Sequence, residues 1–313
     1  MKRIFAANAR QLGTLAVLLV LGATITLLTP YFLTVPNLLN VAQQTVINAI
    51  VAVGMTFVII SAGIDLSVGS ILAVSGVVMA SAIQSGMPAP LAVLAGLAVG
   101  LVCGTINGAL ITFGRLPPFI ATLGMMSMAR GAALLTTQGR PVSGFSVGFR
   151  WIANGQVLGI PAAVLLMLAV YAAAHFVLRR TKFGRYIFAI GGNEEAALLS
   201  GVPVRVYKIA IYAAAGLLAA LSGVVLTARL NSAQPIAGIN YELDAIAATV
   251  IGGTSLMGGE GSVLGTLIGA LIMGVLRNGL NLLGVSSFIQ QVVIGAVIIC
   301  AVLLDTVFRP RKR

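Results

Sequence analysis

Val41–Ser61 reads VAQQTVINAIVAVGMTFVIIS without a single charge, and it runs through Ala62–Ser70, AGIDLSVGS, into a further apolar stretch ending near Gln84. A helix needs about 20 mostly apolar residues to cross the hydrocarbon core of a bilayer. The first stretch has that length and that composition. Lipid tolerates only helices or closed barrels across it, because unpaired backbone groups find no partner there. Working outward, comparable apolar runs lie near 12–28, 66–84, 91–113, 118–137, 161–178, 209–228, 243–256, 263–283 and 288–304. Together with 41–61 they predict ten spans and an all-α fold, a polytopic membrane helix bundle. The run at 243–256 is short and passes through Ile251-Gly252-Gly253, so it is expected to be irregular.

Of 313 residues, 59% are hydrophobic and 8% charged, against about 25% charged in an ordinary soluble domain. A water-soluble chain of this length has too little interior to hide so much apolar surface. The net charge of +12 does not point to nucleic acid, because the bases form no stripe with interleaved aromatics. They gather between apolar runs. With the N-terminus inside and the spans alternating, Lys2, Arg3, Arg10, Arg115, Arg179, Arg180, Lys182, Arg185, Arg205, Lys208, Arg309, Arg311, Lys312 and Arg313 all fall on the inner side. That is the positive-inside bias, and it places both termini in the cytoplasm. The run at 12–28 follows Lys2, Arg3 and Arg10 as a secretory signal would, but it is long for a signal core and lacks a small-x-small cleavage site. It reads as a retained first helix. The longest inner loop, Arg179–Lys208, and the longest outer one, Gln138–Pro161, are both too short to be domains, so 1–313 is a single membrane domain. Cys103, Cys300 and the lone His175 are far apart in sequence, and no metal site or cofactor is expected from them.

An internal repeat is visible. Gly96, Gly100, Gly104, Asn107-Gly108, Gly114 and Phe119-Ile120 recur in order as Gly265, Gly269, Gly274, Asn278-Gly279, Gly284 and Phe288-Ile289. In the expected topology the first set runs inward and the second outward. That predicts a five-plus-five inverted repeat, as in many transporters, although small residues at regular spacing also serve helix packing alone.

Several segments bear on chemistry. In Ala62–Ser70, Asp65 is either an N-cap for a helix starting near Leu66 or a polar group in a pathway. Gly252–Gly261, GGTSLMGGEG, is rich in glycine yet lacks the Gly-Lys-Ser/Thr of a phosphate-binding P-loop, so it reads as a tight reversal. Gly191–Gly201, GGNEEAALLSG, has an acidic start and a terminal glycine, the signature of a short capped helix. It is either an ordinary connector or a lever, with Glu194, Glu195, Ala196, Ala197 and Gly201 at its heart. Arg130 lies within an apolar run, where it either snorkels or serves a pathway. Asn48, Asn107, Asn278 and Gln290 are neutral amides in or near spans, suited to helix–helix glue or to the hydroxyls of a neutral solute. No Ser-His-Asp set or catalytic carboxylate pair is present. The lack of a chain of intramembrane acids argues against proton coupling.

From Thr34 to Leu304 the chain resembles the membrane permeases of ribose-type ABC importers. The resemblance rests on Val53-Gly54-Met55-Thr56 leading to Gly63–Ser70, on Phe119–Leu123 with Arg130-Gly131, and on Gly184-Arg185-Tyr186 with Gly191–Glu194. Tyr241–Ala248 running into Gly252–Leu256 completes it. The resemblance implies a multi-pass permease of the bacterial inner membrane, paired with a second copy of itself. It further implies a cytoplasmic ATP-binding subunit, a periplasmic sugar-binding protein delivering to the outer loops at Gln138–Pro161 and Asn231–Asp244, and ribose as cargo, with xylose or another small carbohydrate as the alternative. It makes Glu195-Ala196-Ala197 with Gly201 the segment that couples to the ATPase, and the chain itself no enzyme. Arg277 departs from the family pattern, where a neutral residue is expected before Asn278-Gly279. A self-sufficient secondary sugar carrier is the competing reading.

Overall fold

The structure, a computed structural model, describes residues 2–308, with side chains from 12 to 303. The inner-side bases expected at 309–313 therefore lie outside the described residues. Thirteen helices are present among the described residues: α1 (Lys2–Leu28), α2 (Val35–Ile60), α3 (Val68–Gln84), α4 (Ala89–Thr112), α5 (Pro118–Thr137), α6 (Val147–Asn154), α7 (Ala162–Arg180), α8 (Lys182–Gly192), α9 (Glu194–Leu199), α10 (Val204–Leu230), α11 (Tyr241–Ile251), α12 (Val263–Leu282) and α13 (Ser287–Phe308). Four two-residue strands complete the chain. β1 (Val142–Ser143) pairs antiparallel with β4 (Ser232–Ala233), and β2 (Gln156–Val157) pairs with β3 (Ile160–Pro161).

Every apolar run read from the sequence coincides with a helix. Six helices, α2, α4, α5, α7, α10 and α12, are long and apolar enough to cross a membrane; Leu12–Leu28, Val68–Gln84 and Ser287–Leu303 are shorter apolar helices. α11, with 11 residues, reaches about 16 Å at 1.5 Å per residue, half the hydrocarbon thickness. Proline sets many of the starts: Pro36 in α2, Pro90 in α4 and Pro118 in α5 each stand in a first turn, where its missing N–H costs nothing. α5 and α10 are stopped by Gln138 and Asn231 in the left-handed conformation.

α2 and α10 form the centre. Most of α2 is buried, and α10 packs along α4, α2 and α3. Gly100 and Gly104 of α4 lie against the backbone of α10 so closely that an added Cβ would overlap Gly216 and Tyr212. The small residues let the two helices approach to backbone contact, which is how membrane helices gain packing energy without a hydrophobic drive.

The bundle has two distinct ends. At one, the Gln84 amide at the close of α3 donates to the backbone carbonyl of Ser143 at 3.4 Å, and β4 follows the close of α10. At the other, Gly259 N donates to Ile60 O at 2.8 Å, and an added Cβ at Gly191 of α8 would overlap that same carbonyl. This second end carries α8, α9 and the basic segment Arg179–Lys208. The glycine-rich segment 252–262 sits here as the expected reversal, with Gly253, Gly258 and Gly259 at positive φ.

Two short helices start inside the bundle. α3 follows the connector 61–67, and α11 follows 234–240. Their first turns abut: a Cβ at Gly69 would overlap Gly238 O, and one at Gly238 would overlap Gly69 O. Gly69 precedes Gln84 by fifteen positions, about 22 Å along α3, so the segment after β4 descends deep into the bundle before α11 begins. The expected outer loop at Asn231–Asp244 is corrected accordingly. Only its start lies at the strand-bearing end, and Asp244 is a buried residue of α11.

Candidate functional site

Polar groups at the heart of the bundle fall into separate clusters. The first joins Asp65 and Asn107. Asp65 Oδ1 accepts from Ser67 N at 2.8 Å and from Ser67 Oγ at 2.5 Å, and Asn107 Nδ2 donates to Ser67 Oγ at 2.9 Å. Ser67, not Asp65, occupies the N-cap position of α3, which begins at Val68. Asp65 closes a turn one step before the helix. It is wholly buried. Its Oδ2 and Asn107 Oδ1 have no hydrogen-bond partner, and the Tyr212 hydroxyl lies against Gly63.

The second cluster gathers three helices around Asp244, in the first turn of α11. Asn48 Nδ2 donates to Asp244 Oδ2 at 3.1 Å, and Arg277 forms a 2.6 Å ion pair with the same oxygen. The odd base of the sequence thus has an internal partner. Neither Asp244 nor the pairing was foreseen, because nothing in the sequence says which faces of α11 and α12 meet.

Arg130 does not reach for an interface. Its guanidinium donates to Pro235 O at 2.6 Å and Ala237 O at 2.7 Å, clamping the descending segment that leads to α11. Asn278 pairs reciprocally with Asn37 at 2.9 and 3.0 Å, tying α12 to the start of α2. Gln290 donates to Asn281 Oδ1 and Val285 O, both at 2.8 Å, which fastens the α12–α13 turn. These two amides act as helix glue.

At the basic end, α9 stands on the surface. Asn193 Oδ1 caps it by accepting from Ala196 N at 2.9 Å, and Gly201 closes the following turn at φ 81°. Ala197 is buried with Ile190, Val202 and Val204, anchoring the helix. Glu194 pairs with Lys208 at 2.6 Å. Glu195, Leu198 and Leu199 face outward, Leu199 being 89% exposed. Apolar side chains presented beside charged ones on a short rigid element suit contact with another protein.

Clustered hydrogen-bond donors and acceptors of this kind can bind and pass a polar solute. Comparison with known proteins agrees. Residues 37–302 match the family described as branched-chain amino acid transport system / permease component. The chain is 53% identical over 296 residues to the ribose import permease protein RbsC of Escherichia coli strain K12, covering 93% of this chain and 92% of that protein. It is 52% identical over 307 residues to RbsC of Bacillus subtilis strain 168, covering 97% and 95%. To the D-allose transport system permease protein AlsC of Escherichia coli K12 it is 41% identical over 303 residues, covering 96% and 93%. The chain belongs to this family of ABC-importer permeases, multi-pass proteins of the inner membrane that conduct a solute and are not themselves enzymes.

Proposed function

We propose that the chain is the D-ribose permease of an ABC importer. It works as a pair of identical subunits, driven by a cytoplasmic ATP-binding subunit and loaded by a periplasmic sugar-binding protein. The observation that carries the choice of sugar is identity of about half to ribose permeases from two distant bacteria over nearly the whole chain, against 41% to an allose permease.

Ten helices, α1–α5, α7 and α10–α13, span the membrane in this reading, with both termini in the cytoplasm. The basic end, with α8 and α9, then faces the cytoplasm, which the positive-inside bias favours. The strand-bearing end faces the periplasm and receives the binding protein. Support for a five-plus-five inverted repeat comes from glycine packing. Gly96 of α4 lies against α3, and Gly100 and Gly104 against α10; Gly269 of α12 lies against Ala248 of α11, Gly265 against Gly252 at the close of α11, and Gly274 against α2. Each glycine-rich helix thus packs on the short helix of its own half and on the second helix of the other half.

α9 is the coupling lever. Glu194, Glu195 and Ala196 form its exposed start, Ala197 its anchor and Gly201 its stop. Closure of the ATPase pair would draw the two levers together and reorient the halves. Reconstitution tests this: vesicles holding the chain with its ATPase should take up ribose only when ATP and loaded binding protein are both supplied. Ribose accumulation against a gradient by the chain alone would replace the importer reading with a secondary carrier.

A further inference from the structure

We propose that Asp244, presented by Asn48 and Arg277, is the mid-membrane contact through which the permease handles the hydroxyls of its passing sugar. The proposal rests on the importer reading above and adds to it a place and a set of atoms.

Depth is the first observation. Asn48 stands at the fourteenth position of the 26-residue α2, about 20 Å from the helix start. Asp244 lies in the first turn of α11, a half-length helix that begins inside the bundle beside the first turn of α3. Substrate sites in transporters with inverted repeats lie near this level, where discontinuous helices expose their ends.

Open hydrogen-bonding capacity is the second. Asp244 is 1% exposed, and its Oδ2 takes both donors while Oδ1 has no partner. Asn48 Oδ1 and Arg277 Nε are likewise unpartnered. All three belong to side chains that meet at one carboxylate oxygen. They offer two acceptors and one donor, and a sugar hydroxyl both donates and accepts. A purely structural ion pair sealed in a bundle is expected to satisfy its remaining lone pairs and protons, and this one does not.

Access is the third. The three open atoms are covered in this state, and the pair is reached from its rim: the Arg277 side chain is 37% exposed, and Tyr241, in the same first turn of α11 as Asp244, is half-buried. An arginine opening onto lipid at this depth is costly, so its exposed face belongs to a polar cavity or to a protein-covered path. Asp244 then plays the part of a charged acceptor that two donors hold in place, and its charge strengthens the hydrogen bond to an incoming hydroxyl.

The test uses the full transporter in vesicles, with D-ribose as the probe. Ribose delivered per ATP hydrolysed is measured for wild type, Asp244→Asn and Asn48→Ala, each checked for assembly with the ATPase. The expected result is a fall in that ratio of about tenfold for Asp244→Asn, the loss of one charge-assisted hydrogen bond, with a smaller fall for Asn48→Ala. A wild-type ratio in both variants overturns the proposal. So does a proportional loss of hydrolysis and uptake, the mark of a merely structural ion pair. If Asp244→Asn does not assemble, Asn48→Ala decides by the same ratio. Absence of binding-protein-stimulated hydrolysis in the wild type would instead sink the importer reading, which keeps the two failures apart.

Discussion

The Asp65 carboxyl is wholly buried in the connector between α2 and α3, and only Oδ1 receives hydrogen bonds. Ser67 ties it to Asn107 of α4, since its hydroxyl donates to Asp65 and accepts from the amide. Ser67→Ala removes that bridge and leaves buried polar groups without partners, which costs about 1–3 kcal/mol. The unfolding temperature, followed by Trp151 fluorescence in detergent, should fall by several degrees; an unchanged value would show that the bridge contributes nothing. Asp65 was legible in the sequence, since a carboxylate between Gly63 and Gly69 at the junction of two apolar runs stands out. Its partner Asn107 was legible only as an amide, and the link through Ser67 depends on how α4 lies against the connector.

At the scale of elements, length and apolarity located the helices because a membrane span is defined by those two quantities. The depth at which a helix starts is set by tertiary contacts and left no such trace. The segment 234–240 read as an outer loop, yet it descends beside α3 because Arg130 holds two of its carbonyls and Gly69 leaves room for Gly238. Arg130→Met should release that segment: the shape of the side chain persists but two charge-assisted hydrogen bonds vanish. Limited proteolysis near Pro235 should then quicken severalfold, and unaltered cleavage would show that the glycine contact alone suffices. Gly100→Val tests the packing of α4 on α10. A branched side chain has no space against Gly216 O, and overpacking of this kind costs about 1–3 kcal/mol or more. A lowered unfolding temperature is expected, whereas Gly131→Val, which meets nothing within 4 Å, should leave it near wild type.

For the whole molecule, the proposed orientation rests on charge placement and decides which end would meet which partner. The basic segment Arg179–Lys208 and α9 belong on one side, and α6 with the hairpin β2–β3 on the other, because α7 and α10 connect them with single helical passages. Leu199 on α9 and Leu158 in the hairpin are 89% and 98% exposed, so each reports its own side without disturbing the interior. Both native thiols are first removed as Cys103→Ala and Cys300→Ala; Cys103 is half-buried and Cys300 exposed. In right-side-out vesicles a membrane-impermeant maleimide should then label Leu158→Cys and spare Leu199→Cys, and inverted vesicles should reverse the pattern. Adding the ATP-binding subunit to inverted vesicles should further shield Leu199→Cys, since the lever would be covered. Labelling of both positions from the same side would break the alternation of ten spans, and with it the assignment of α9 as the element that the motor grips.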